Sequence, residues 1–255
     1  MDLLIDIGNT NLRWAALGVD STAGPQAGPV LGEVNTLRHH GAIPIDLLAA
    51  WDGLPAPRKV LVGNVGGAEL AAHLTRTVRS LWGLDPGFAA TRAEGFGVRI
   101  AYAEPGRLGV DRWLALIAAR RRAPGPSLVI DAGTAVTYDL LLGDGTHLGG
   151  LILPGVRLLR NALMAGTRIP PWADQPDPGP GDPVWAADTA AAVAGASLQA
   201  PSALAERLWM RLRDRAGTEP HLILTGGDAE RLAPLVGVPV RILPALVLQG
   251  LALLA

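Results

Sequence analysis

Two stretches of this chain carry the same pattern of apolar and polar positions. Residues 3–17 read LLIDIGNTNLRWAAL. An apolar run enters Asp6, a glycine follows at Gly8, and Asn9, Thr10 and Asn11 make a polar break before Leu12, Trp14, Ala15 and Ala16. This pattern predicts a strand, a tight turn and a second strand. Residues 128–141, LVIDAGTAVTYDLL, repeat it. Leu128, Val129 and Ile130 lead into Asp131, then come Gly133 and Thr134, then a strand through Val136, Tyr138 and Leu140. The two Asp-x-Gly turns stand half a chain length apart in 255 residues, the spacing expected of two similar domains.

A carboxylate is costly inside an apolar run. Asp6 is therefore expected to emerge at the strand end, beside a turn whose N–H groups and hydroxyl suit a phosphate. The other local reading is a β-hairpin whose Asp and Asn only shape the turn. A third element, HLILTGGDAERL at 221–232, runs a strand into Gly226-Gly227, with Asp228 placed to cap a following helix. Paired glycines let a flat base approach the backbone closely.

The remaining pattern is α/β. Residues 18–36 are Gly- and Pro-rich and read as a connection; a short helix is expected at 45–51. KVLVGNVGG at 59–67 predicts a strand and turn, with Asn64 as turn former or ligand contact, then a helix at 68–81. A strand at 97–102 precedes EPGRLGVDRW at 104–113. Asp111 heads an apolar-periodic run, Trp113, Leu114, Leu116 and Ile117, that ends in Arg120, Arg121 and Arg122, an arrangement suited to the helix dipole. Locally, Asp111 reads as an N-cap or first-turn acid, Arg112 as a solvated helix-face residue, and Tyr102 as a strand-end core residue. Ala123-Pro124-Gly125-Pro126 marks the boundary between halves 1–124 and 125–255.

In the second half, an Asp-Gly hairpin is expected at 141–150, a strand through 149–154 and a helix at 156–165. IPPWADQPDPGPGDPVW at 169–185 is a long irregular stretch, a lid or a surface excursion. A small-residue helix at 187–197 and an amphipathic one at 202–217 follow, and LVLQGLALLA at 246–255 should dock as an apolar helix.

Charge and composition narrow the chemistry. The net charge of −1 gives no broad basic surface for nucleic acid. Cysteine is absent, which removes disulfides and thiolate metal sites. His39-His40 is the one adjacent histidine pair and no zinc-type spacing occurs. There is no P-loop string. No basic leader precedes the first apolar run, and no run is long enough to cross a bilayer, so a soluble cytoplasmic protein without membrane contact is expected.

Two Asp-x-Gly turns and a late TGG element resemble the acetate kinase, sugar kinase, Hsp70 and actin superfamily. DIGNTN at 6–11, GVDRW at 109–113, DAGTA at 131–135, GGLILPGV at 149–156 and TGGDA at 225–229, in this order, resemble the type III pantothenate kinases, the family that includes the Bvg accessory factors. The resemblance covers nearly the whole chain. It implies two related ribonuclease H-like (actin-like ATPase) domains with a nucleotide cleft between them. It also implies ATP-dependent phosphorylation of pantothenate to 4'-phosphopantothenate, the first step of coenzyme A biosynthesis.

Carried over residue by residue, Asp6, Ile7, Gly8, Asn9, Thr10, Asn11, Leu12 and Arg13 would cradle the ATP phosphates, with Asp6 also near Mg2+. Thr134 would face ATP, and Gly226-Gly227 would flank the adenosine. Asp111 would be the general base. Tyr102, Gly109, Val110 and Arg112 would position pantothenate, Arg112 through its carboxylate. Val110 stands where the family usually has alanine, a change that could crowd the pocket. Asp131 would lie near a monovalent cation, K+ or NH4+. In a homodimer, Thr189 would reach the neighbouring subunit's pantothenate site. A second reading is a non-catalytic nucleotide-binding accessory protein. A third is a sugar or polyphosphate enzyme of the same superfamily. Intact acids at 6, 111 and 131 weigh against the accessory reading, and the GVDRW string against the other.

Overall fold

The computed structural model describes residues 1–19, 29–169 and 185–255. Two compact units result. The first comprises Met1–Gly95, Tyr102–Ala118 and Ala245–Ala255; the second comprises Phe96–Ala101 and Ala119–Pro244. The chain order is β1 (Asp2–Ile7), β2 (Asn11–Val19), β3 (Pro29–Leu31), β4 (Asn35–Arg38), α1 (Ile45–Asp52), β5 (Val60–Asn64), α2 (Ala68–Trp82), β6 (Gly87–Phe88), β7 (Glu94–Gly95) and β8 (Val98–Arg99). Then come α3 (Val110–Arg122), β9 (Ser127–Ala132), β10 (Ala135–Leu141), β11 (His147–Pro154), α4 (Val156–Gly166), α5 (Thr189–Ala216), β12 (His221–Thr225), α6 (Ala229–Leu232), β13 (Val240–Ile242) and α7 (Leu246–Ala252).

The first unit holds a sheet ordered β3-β2-β1-β5-β6, with β4 also on β2; the second holds β11-β10-β9-β12-β13. Directions match as well as order. β1 is antiparallel to β2 and parallel to β5, and β9 is antiparallel to β10 and parallel to β12. The outer strands β6 and β13 add in parallel. Each unit is thus the same ribonuclease H-like sheet, and the repeated sequence pattern reflects a repeated fold.

Buried residues explain why the pattern was so plain. β1 is buried along its whole length, and β9 almost so, as expected of central strands covered on both faces. In the first unit Leu3, Ile5, Trp14 and Val62 pack with Leu47 and Leu74 from the helices. Trp51 meets Trp14 edge-on at 6.2 Å and Trp82 at 5.2 Å. The helix α7 lies against α3: a Cβ built on Gly250 would stand 2.2 Å from the Leu114 carbonyl oxygen. In the second unit Leu128, Ile130, Val136, Leu198, Trp209 and Leu224 form the core.

Several expectations need correction. Part of 18–36 is strand, because β2 runs to Val19 and β3 and β4 both pair with it; the rest of that connection lies outside the described residues. The strand expected at 97–102 is only β8. The two helices expected at 187–197 and 202–217 are one, α5, which continues through the buried Pro201. Proline removes a helix hydrogen bond and crowds the preceding turn. Pro201 is buried there, and the buried Tyr138 hydroxyl donates to its carbonyl at 2.9 Å, tying α5 to β10. Burial also pushes the Tyr138 phenol above its ordinary range, so it stays a neutral donor. Tyr138→Phe should lower stability by about 1 kcal/mol, because it removes a buried hydrogen bond. A urea midpoint unchanged by the substitution would remove the role given to the bond. The stretch proposed as a lid, 169–185, lies almost entirely outside the described residues.

Candidate active site

In the first unit, β1 ends at Asp6 and Ile7. The Gly8 N–H donates to the Asn11 carbonyl at 3.0 Å, which closes the turn into β2. Asp6 does not emerge. It is 6% exposed, its neighbours in register are Arg13 on β2 and Gly63 on β5, and it is engaged within the protein. Burial of this carboxylate is tolerable only because it is partnered. Asn9, by contrast, is exposed at the turn.

The neighbouring strand end presses on this turn. The Val65 N–H donates to the Ile7 carbonyl, and a Cβ on Gly66 would stand 3.0 Å from the Gly8 oxygen. Asn64 is a turn former: its carboxamide accepts from the Gly66 N–H and donates to the Gly67 carbonyl, each at 3.0 Å.

Five of the expected pantothenate residues also lie together in the first unit, within Tyr102–Ala118. The helix α3 begins at Val110, so Asp111 sits in its first turn, where the dipole favours a negative charge. The Asp111 carboxylate accepts from the Arg112 N–H at 2.8 Å and folds back over Gly109. A Cβ on Gly109 would stand 2.5 Å from Asp111 Oδ1, so glycine is required there. Arg112 is not solvated: at 7% exposure, it donates from Nη1 to the Tyr102 hydroxyl at 3.2 Å, and its guanidinium lies 5.9 Å from that ring's centre. A buried guanidinium beside a tyrosine hydroxyl is a fit receptor for a carboxylate. Val110 is buried in the core.

In the second unit, three strand ends meet around the DAGT turn. The Gly155 N–H donates to the Thr134 carbonyl at 3.0 Å, and the Asp228 N–H to the Ala132 carbonyl at 2.9 Å. A Cβ on Gly155 would reach within 2.2 Å of the Gly133 oxygen. On Gly226, whose φ is +95°, it would stand 2.4 Å from the Ala132 oxygen and 2.5 Å from Asp131 Oδ1. Gly227 has open space where a Cβ would go. Asp228 does not cap α6 through its side chain; it pairs with Arg231 instead. Thr189 is exposed at the start of α5, where Asp188 is the cap, accepting from the Ala191 N–H at 2.9 Å.

Among the described residues, no three of His, Asp and Glu cluster as a metal cage. A magnesium ion bound with nucleotide phosphates needs only one or two carboxylates, and Asp6, at the end of β1, is the carboxylate that would hold it. The carboxylate of Asp131, pressed against the Gly226 turn, is an oxygen donor of the kind a monovalent cation would use.

Residues 2–211 match the family model described as type III pantothenate kinase. The chain belongs to that family. Two relatives bearing the family name are those of Nitrosococcus oceani, 35% identical over all of this chain and 94% of its own, and of Azoarcus, 37% identical over all of this chain and 90% of its own. A solved structure from Campylobacter jejuni, described as a Baf family transcriptional activator, covers 97% of this chain and 94% of its own at a TM-score of 0.55 and 22% identity. That likeness is one of fold. No described helix is long and apolar enough to cross a membrane.

One buried residue packed on the Asp6–Arg13 turn had no signal in the sequence. His39, counted only in a search for zinc spacing, is 5% exposed and bonded to the phosphate-type turn. Its ring contact spans 31 positions, and no local pattern announces such a pairing.

Proposed function

We propose that this pantothenate kinase transfers the terminal phosphoryl group of ATP to the primary hydroxyl of pantothenate, giving 4'-phosphopantothenate for coenzyme A synthesis. The observation that carries the assignment is the intact GVDRW segment, with Asp111, Arg112 and Tyr102 assembled in a chain of this family. A non-catalytic accessory role is not favoured: full-length relatives carry the kinase name, and the acids at 6, 111 and 131 are in place.

The residue roles in this reading are those the family resemblance implies. In the first unit the turn from Asp6 to Arg13 takes the ATP phosphates; in the second, Thr134 and Gly226-Gly227 are the nucleotide contacts that the family resemblance implies. Arg112 and the Tyr102 hydroxyl bind the pantothenate carboxylate, while Gly109 and Val110 shape the backbone beside it. This fixes the primary hydroxyl near Asp111. The Asp111 carboxylate orients the hydroxyl and accepts its proton as the oxygen attacks phosphorus, with the ADP oxygen leaving in line. Magnesium, when bound at Asp6, neutralises phosphate charge. Asp131 holds K+ or NH4+ as an activating cation.

A homodimer completes the reading, with Thr189 reaching the neighbouring pantothenate site. Its support is surface chemistry. The edge strand β11 exposes Leu148, Leu151 and Ile152, and α4 exposes Leu158 and Leu163, an apolar area that a second copy would cover. Cytoplasmic location follows from the coenzyme A role.

The test is a coupled assay with ATP, magnesium and pantothenate, run in potassium and then in sodium. The expected result is turnover that requires pantothenate and is several-fold faster in potassium. Folded protein that binds ATP yet turns nothing over in either salt would return the accessory reading; equal rates in both salts would remove the cation role of Asp131.

A further inference from the structure

The mechanism above leaves one buried, hydrogen-bonding side chain at the phosphate turn without a part. His39 follows β4 directly, and β4 pairs with β2 through Asn11↔Arg38 and Leu12↔Leu37. That register carries His39 to the turn itself. Its backbone N–H donates to the Thr10 carbonyl at 2.9 Å. Its ring Nε2 lies 2.8 Å from the Gly8 carbonyl, and its Nδ1 lies 3.3 Å from the Gly41 N–H. A carbonyl only accepts and an N–H only donates, so the ring is the neutral form protonated on Nε2.

We infer that His39 is a positioning residue of the kinase, holding the Gly8–Thr10 turn in the conformation that receives ATP phosphates. This rests on the reading of that turn as the phosphate cradle. The argument is one of peptide geometry. In a trans peptide the C=O and N–H point in opposite directions. Holding the Gly8 carbonyl on the imidazole therefore turns the Asn9 N–H the other way, and Asn9 is exposed. Without the imidazole, that peptide is free to rotate, and an oxygen could face the anion in place of an N–H donor. His39 also binds the carbonyl of Thr10, so it grips both sides of Asn9. The Gly41 contact fixes the tautomer that makes this possible. The residue touches neither phosphate nor hydroxyl in this scheme; it acts through the turn.

The test compares wild type, His39→Leu and His39→Gln, with steady-state kinetics for both substrates, calorimetric ATP binding and thermal unfolding. Glutamine offers an amide donor near Nε2 and an acceptor for Gly41; leucine offers neither. His39→Leu should raise the KM and Kd for ATP about tenfold, as expected when a buried carbonyl loses its donor, with the KM for pantothenate within twofold. His39→Gln should recover most of the ATP affinity. Folded His39→Leu with wild-type ATP affinity overturns the inference and leaves the kinase reading intact. So does equal damage to both substrates, or glutamine no better than leucine. Wild type that does not bind ATP removes the phosphate-cradle reading, and the inference with it. A further measurement needs no substitution. Imidazole nitrogen spectra of the wild type should show His39 protonated at Nε2 and its signal displaced by ATP; the Nδ1 tautomer, or a signal indifferent to ATP, overturns it.

Discussion

Asp111→Asn should lower kcat by about a hundredfold to ten-thousandfold, while ATP binds with wild-type affinity. The substitution keeps the shape of the side chain. It keeps an oxygen to accept the Arg112 N–H, which lies 2.8 Å from Asp111 Oδ1. What it removes is the negative charge and the ability to take a proton. The general-base share of the barrier is therefore lost while the first turn of α3 stays formed. The dipole contribution of an acid in that turn is worth about 0.3–1 kcal/mol. Such a loss is too small to unfold a domain stable by about 5–15 kcal/mol. A thermal scan, a calorimetric ATP titration and single-turnover kinetics on one preparation separate the effects. A parallel loss of ATP affinity would move Asp111 into the nucleotide site. Undiminished turnover would mean that the proton leaves by another route.

What could be read from the chain follows a physical divide. β1, β2, β9 and β10 were legible because central strands are long, apolar and joined by short turns, so pattern and fold coincide. The edge strands β3 and β4 were not. They are short and hold their conformation by pairing with β2, a tertiary effect that local preference does not register. Pro201 misled in the opposite sense. It stands between the two helices expected, yet α5 runs through it, with Pro201 buried and its carbonyl bonded by Tyr138.

For the residues expected at the site, the environments were not legible in the sequence. Asp6 and Arg112 were named, but both were expected nearer to solvent than they are. Their burial matters for function, since a charge away from water interacts more strongly with a bound partner. Asp228 looked like a cap from its place before a helix; Arg231, one turn on, takes its carboxylate. His39 was invisible because its ring bond to the Gly8 carbonyl spans 31 positions.

The adjacent glycines of the TGG turn should respond to alanine in opposite ways. Gly226→Ala places a Cβ 2.4 Å from the Ala132 oxygen and 2.5 Å from Asp131 Oδ1, at a φ of +95°. Neither obstacle is the far end of a flexible chain. One is backbone of the central strand β9, the other a short carboxylate. Backbone strain and overpacking at about 1–3 kcal/mol each give an expected loss of about 2–5 kcal/mol of stability. Because the same methyl displaces the Asp131 carboxylate, the surviving folded enzyme should also lose the potassium activation proposed for Asp131. Gly227 has nothing within 4 Å of its would-be Cβ. Gly227→Ala should therefore keep stability within about 0.5 kcal/mol and still weaken ATP, since the open space above Gly227 is where the adenosine is assigned. Urea unfolding and ATP titration of both variants decide the matter. A Gly226→Ala protein as stable as wild type would show that the turn is not locked onto β9. Unchanged ATP affinity in Gly227→Ala would place the adenosine elsewhere, whatever happens at Gly226.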